Sequence, residues 1–400
     1  MLGYHIKGIP LVEERFDINM KKIMCVIGTR PECIKVAPLV LELRKRTNIA
    51  VMVCVTAQHR EMLDQVLDFF HITPDYDLNI MKSNQTLFEI TTGVLSGMES
   101  VLHDTHPDVV LVHGDTTTAF ATSLACFYLG IPVGHIEAGL RTYDILSPFP
   151  EEFNRECIDI ISNYYFAPTA LSRMNLMKEG KKSDNIYVTG NTVIDAMKYT
   201  VSKEYAHKEL DWASDSKLLF LTAHRRENIG APMHRMFKAI RKVVDKHKEC
   251  KLIYPVHMNP IVRKIAYEEF NGHERIHMIE PLSVIDCHNF EVRSYLCLTD
   301  SGGIQEECPS YGVPVLVLRN TTERPEGVDA GALRLVGTNE NSVYESLSQL
   351  LNNENEYSKM THAVNPYGDG NACERIANIL EGKKYIPWKF DYSVGEQQCH

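Results

Sequence analysis

Carboxylates gather where apolar runs end. The stretch "VHGDTTT" carries His113 and Asp115, "HIEAGLR" carries Glu137 and Arg141, and "SPFPEEFNRE" places Glu151 and Glu152 on a Pro-led helix start. Singly, each is more often a helix cap than a catalyst. Three on one rim offer acid–base chemistry, because like charges held close raise a carboxyl pKa toward useful values. A further run, "TAHRREN", ends on His224, Arg225 and Arg226. A lone His is more often structural; the adjacent arginines favour one that protonates or stabilises a leaving phosphate.

Two turns read as anion cradles. In "LTDSGGIQEE", Ser301, Gly302 and Gly303 permit close backbone approach at the start of a helix, whose unpaired N–H groups and dipole suit a phosphate. An ordinary strand–helix turn with an Asp/Ser cap fits the same stretch, and both readings stay open. Glu306 and Glu307 follow within reach of a ribose hydroxyl, or are solvated helix residues. "GTRPECIK" opens the other half of the chain in the same way, with Arg30 before a helix and Lys35 about one turn on, so that two cations converge on one anion.

Other chemistries are poorly served. No Gly-x-Gly-x-x-Gly follows any of the strand-like runs, which argues against a dinucleotide redox cofactor, and no cofactor is expected. Asp75-Tyr76-Asp77 has a spacing used by some metal-dependent sugar transferases, but after Pro74 it reads as a solvated loop. His103 and His106 lack companion ligands, so no metal site is expected. The eleven cysteines are odd in number and form no Cys-x-x-Cys pair, as for reduced thiols in the cytoplasm.

Strand-like runs must position these groups. "KIMCVIGT", "AVMVCVTA", "VVLVHGD" and "IPVGHIEA", then "KLLFLTAH", "KLIYPVH", "RIHMIEP", "YLCLTDSG" and "VPVLVL", alternate with helix-period segments. Short runs rich in Val, Ile and Leu are what parallel strands covered on both faces require. The expected fold is therefore α/β, with two doubly wound Rossmann-like domains facing a cleft, and ligands beyond the carboxyl ends of the strands. The boundaries are an N-terminal extension over 1–21, a first domain over 22–195, a nucleotide-binding domain over 196–366, a helix over 367–382 packing back on the first domain, and a tail over 383–400. The hinge falls between Asn191 and Ser216.

At 400 residues, with 44% hydrophobic and 24% charged, the chain can bury large cores and is not of disordered composition. A net charge of −10 argues against nucleic acid or an anionic membrane as partner. Glu13, Glu14, Arg15 and Asp17 interrupt the first twenty residues where a signal peptide needs an apolar core, which again favours the cytoplasm. The substrate expected is a diphosphate whose reacting group acid–base chemistry can alter, and nucleotide sugars fit.

The stretches "GTRPECIK", "TAQHREML", "VLVHGDTTT", "HIEAGLRT", "SPFPEEFNR", "TGNTVIDA", "TAHRREN", "YPVHMNP", "LTDSGGIQEE", "TTERPEG" and "NPYGDG" closely resemble the non-hydrolysing UDP-N-acetylglucosamine 2-epimerases, in order from about Lys22 to about Gly382. The resemblance implies a fold like that of the B-type glycosyltransferases, a homodimer, and UDP-N-acetylglucosamine and UDP as ligands. It implies anti elimination of UDP to 2-acetamidoglucal and re-addition to give UDP-N-acetylmannosamine. By motif, Asp115, Glu137 and Glu151 match the acid–base carboxylates, His224 the histidine near the leaving phosphate, and Arg30 and Lys35 positions tied to UDP binding and catalysis. Ser301, Gly302 and Gly303 match the diphosphate turn, and Glu307 the ribose carboxylate. Gln58, Arg225 and His257 match a second, activating substrate site, but Glu61 stands where a Gln can occur and Asn84 where an Arg can, which points to weaker or absent activation. The competing readings are a hydrolysing relative, an epimerase of a modified diacetamido sugar, a glycosyltransferase on the same fold, and an inert nucleotide-sugar sensor.

Overall fold

In the computed structural model, which describes residues 20–390 except 57–59, 81, 83 and 84, side-chain alternation along each central strand fills two apolar layers. On β1 (Lys21–Ile27), Ile23, Cys25 and Ile27 enter one core while Met24 and Val26 enter the other. Buried on both faces, such a strand needs helices above and below, and that arrangement suits parallel pairing.

The first sheet contains β1, β2 (Ile49–Val55), β3 (Tyr76–Asp77), β4 (Val109–His113), β5 (Val133–Ile136), β6 (Tyr164–Ala167) and β7 (Ile186–Val188). Their order is β3-β2-β1-β4-β5-β6-β7, all parallel. The second sheet contains β8 (Lys217–Thr222), β9 (Cys250–Pro255), β10 (Ile276–Ile279), β11 (Leu296–Thr299), β12 (Val315–Val317) and β13 (Leu333–Leu335). It runs β10-β9-β8-β11-β12-β13, again parallel. In each sheet the winding direction reverses beside the first strand, between β1 and β4 and between β8 and β11. A crevice opens there at the strand carboxyl ends, where ligands bind in such folds.

Three segments join the halves. The Thr192–Thr200 helix packs on the Arg30–Arg44 helix of the first domain and on the Gly302–Glu307 helix of the second. The polar stretch after it folds into a short helix, Lys208–Ala213. Past the second sheet the chain crosses back, and the Ala372–Leu380 helix puts Cys373, Ile376 and Leu380 into the core that holds Ile23 and Leu39. Asp195 fixes this return by accepting hydrogen bonds from the Ala372 and Cys373 N–H groups at 3.1 and 2.9 Å. Beyond that helix, the Trp388 N–H donates to the Val188 carbonyl at 2.9 Å.

Asp75-Tyr76-Asp77 is not a solvated loop. Tyr76 and Asp77 pair with Cys54 and Val55 as an edge strand, and the Asp75 carboxylate accepts the Val53 N–H at 2.7 Å. A two-residue strand carries no periodicity to read. Every described cysteine is a free thiol. Among the described residues no helix is long and apolar enough to cross a membrane.

Candidate active site

The second-domain crevice is organised by Asp300, which is fully buried at the end of β11. Its carboxylate does not cap its own helix. It accepts the backbone N–H groups of His224 and Arg225, each at 3.0 Å, and the Asn228 side-chain amide at 2.9 Å, locking the turn after β8 against the turn after β11. Ser301 makes no side-chain capping bond to the helix it begins. The next two glycines sit close to neighbouring side chains: a Cβ on Gly302 would stand 2.7 Å from Arg324 Nη1, and one on Gly303 2.9 Å from Glu307 Oε1, so those side-chain ends would have to shift.

A cavity of about 350 Å³ joins the domains, with Arg30 and Lys35 on one wall and His224, Ser301, Gly303 and Glu307 on the other. His224 is half-exposed and stacks on His257, their rings 5.2 Å apart and 14° from parallel. Pro255, Leu282 and Val284 supply an apolar wall, as a flat base would need. Glu307 lies 3.8 Å from His288 Nε2 and shares a hydrogen bond with the buried Glu291. Burial, reinforced by Glu307, pushes the Glu291 carboxyl well above the usual range.

The first-domain crevice continues from this cavity through Lys35, which also lines a space of about 230 Å³ with His113, Asp115 and Glu137. Lys35 lines the same cavity as Arg30, and its ammonium is directed at two carboxylates. Its Nζ is 2.5 Å from Glu137 Oε2 and 3.7 Å from Glu306 Oε2, because the helix aims it inward at two carboxylates. Burial would lower its pKa, and those two carboxylates outweigh it. Burial would likewise raise Glu137, but Lys35, His113 and Arg324 hold it well below the carboxylate range. His113 lies 3.6 Å from Glu137, and burial drives its imidazole down to about 3.

Asp115 ends the same crevice, with Arg155 Nη2 at 2.8 Å from its carboxylate. Glu151 begins the Glu151–Ile161 helix and acts on the Asp115 charge. Its neighbour Glu152 turns away, accepting the Thr142 and Tyr143 N–H groups at 2.8 and 2.9 Å to hold the preceding loop. Glu306 is no ribose ligand: it is buried and paired with Arg324 at 2.7 Å. Arg141 is structural as well, bridging Asp159 and Glu179 at 2.7 and 2.6 Å.

Arg225 and His257 fall on different cavities. Arg225 donates to the Asp300 carbonyl at 3.1 Å and lines a polar space of about 680 Å³ with Arg319, Glu323 and Tyr143, whereas His257 stays with the nucleotide-sized cavity. Gln58 and Asn84 lie outside the described residues, as does the side chain of Glu61. No group of three or more His, Cys, Asp or Glu among the described residues could hold a metal ion.

The sequence offers Asp300 only as a helix cap and marks no role for Arg155, Asn191 or Arg324. The last two sit in "TGNTVIDA" and "TTERPEG", stretches whose length was the available signal.

The profile of the family described as UDP-N-acetylglucosamine 2-epimerase matches residues 41–381. The chain is 58% identical over 359 residues to the UDP-N-acetylglucosamine 2-epimerase of Bacillus subtilis (strain 168), covering 90% of this chain and 94% of that one. A structure of S. aureus MnaA with UDP superposes with a TM-score of 0.86 at 52% identity, over 90% of this chain and 96% of that one. The Neisseria meningitidis UDP-GlcNAc 2-epimerase bound to UDP-GlcNAc does so with a TM-score of 0.85 at 49% identity, over 90% and 100%. With its paired crevices, its carboxylates and these matches along most of its length, the chain belongs to the UDP-N-acetylglucosamine 2-epimerase family.

Proposed function

We propose that this protein interconverts UDP-N-acetylglucosamine and UDP-N-acetylmannosamine without hydrolysis, by eliminating UDP and adding it back. The observation that carries this reading is the shared cavity, where Arg30 and Lys35 face His224, Ser301, Gly303 and Glu307, and Lys35 continues into the crevice of Asp115 and Glu137. Relatives bound to UDP and to UDP-GlcNAc support the ligand class.

A proton beside an acetamido group is weakly acidic, so its removal must be coupled to departure of the diphosphate. A carboxylate takes that proton, the electron pair forms the double bond of the glucal, and the bond from the anomeric carbon to UDP oxygen breaks. Cations and the second-domain turn stabilise the leaving UDP. Return of UDP, with a proton delivered to the opposite face, gives the other epimer. As part of the same reading the protein works as a homodimer in the cytoplasm.

Proton NMR of the reaction in heavy water tests the chemistry. Deuterium is expected at the carbon bearing the acetamido group, with the sugar still attached to UDP. Manno product without deuterium would refute elimination, and free N-acetylmannosamine as the main product would refute the non-hydrolysing course.

A further inference from the structure

Asn191 joins the two domains at the acid–base carboxylate. Its side-chain amide donates to Glu137 Oε2 at 2.8 Å and to Glu306 Oε2 at 2.9 Å, so one NH₂ group spans a first-domain and a second-domain carboxylate. Glu306 is in turn fixed by Arg324, and the segment around Tyr367 braces all three. Tyr367 accepts the Asn191 N–H at 2.7 Å through its carbonyl and donates its hydroxyl to the Arg324 carbonyl at 3.0 Å. Asn365 donates to the Glu306 carbonyl at 2.9 Å.

Glu137 needs such support. It adopts φ 69°, a left-handed conformation uncommon for a residue with a side chain, so its backbone alone is a strained mount. Lys35 and Asn191 hold its carboxylate. The bland account is that Asn191 caps the Thr192–Thr200 helix, since its Oδ1 accepts the Val193 N–H at 3.0 Å. That bond uses only the oxygen and leaves the two amide contacts unexplained.

We propose that Asn191 is a positioning residue that clamps Glu137 to Glu306, so that contacts from both domains aim the Glu137 carboxylate for proton transfer. This rests on the epimerase reading above. The charged or titratable groups facing Glu137 are Lys35 from the Arg30–Arg44 helix, His113 from the end of β4, Asp115 beyond it, and Glu306 and Arg324 from the second domain. A negative charge in place of the amide would stand beside two carboxylates, and one of the three would then hold a proton.

Asn191→Ser and Asn191→Asp both keep a good helix-capping oxygen and both lose the amide. Turnover of UDP-N-acetylglucosamine is expected to fall about 10- to 100-fold in each, with KM changed by less than about threefold. In Asn191→Asp the acid limb of the kcat profile should also move up by about one pH unit or more. Thermal melts establish that the variants are folded. Turnover and acid limb like wild type in both variants would overturn the clamp, leaving a cap. So would lost turnover that tracks a lowered melting temperature with the acid limb of Asn191→Asp unmoved. Absence of conversion by the wild-type protein would overturn the reaction itself, a separate outcome.

Discussion

The Asp115 carboxylate sits 2.8 Å from the guanidinium of Arg155, which projects from the helix that Glu151 begins. Burial raises Asp115 from its ordinary value; Arg155 opposes that rise, and Glu137 and Glu151 add to it. Removing the cation should therefore raise Asp115 further. Arg155→Gln is expected to shift the acid limb of kcat upward by about one to three pH units. Asp115→Asn keeps the shape and removes the proton-accepting charge, and should cut turnover about 10²- to 10⁴-fold. Calorimetry with UDP should show much smaller changes for both.

Arg30 and Ser301 face each other across the cavity, one from each domain. Arg30→Ala should weaken UDP binding by about 1.5–3 kcal/mol, because a charge-assisted contact is lost, whereas Ser301→Ala should cost about 1 kcal/mol. Unchanged affinity in both variants, measured by calorimetry, would remove the diphosphate from this cavity.

Sheets and strand ends were legible because each depends on a local pattern. The Val-rich run of β4 and the polar turn at His113 and Asp115 can be read without knowing what lies beside them. The partners that set the chemistry cannot. Asp300 looks like a cap in sequence, yet its carboxylate serves a turn more than seventy residues earlier, where the His224 and Arg225 amides point at it. Lys35 reads as a phosphate cation, and no local pattern shows that folding also brings Glu137 and Glu306 to its ammonium. Asn191 takes its role from two carboxylates 54 residues before it and 115 residues after it.

The return of the Ala372–Leu380 helix makes the first domain depend on the end of the chain. Ile376 is fully buried in the core with Ile23 and Leu39. Ile376→Ala should lower unfolding stability by about 2–5 kcal/mol, the cost of a lost buried side chain and the cavity left behind. In urea the loss should appear in the first domain's transition if the domains unfold separately. A change under about 0.5 kcal/mol would place the helix on the surface instead.

Glu32, in the first turn of the helix that carries Lys35, gives a stability test of burial against hydrogen bonding. Its Oε2 accepts the Gly28 and Thr29 N–H groups at 3.0 and 2.6 Å, and its Oε1 accepts the Thr116 hydroxyl at 2.6 Å. Burial outweighs these contacts and lifts the carboxyl from 4.5 to about 7. Between those values the folded chain holds a proton that the unfolded chain has released. Its contribution to stability is thus complete below about pH 4.5 and is lost as pH rises through about 7, by at most about 1.4 kcal/mol per unit. Glu32→Gln mimics the protonated form, with Oε1 accepting both N–H groups and Nε2 donating to Thr116. Urea unfolding at about pH 5 and about pH 8 should show wild type losing stability relative to Glu32→Gln by a few kcal/mol. A difference that stays constant across that range would mean the three donors keep Glu32 ionised throughout, and that hydrogen bonding, not burial, sets its charge.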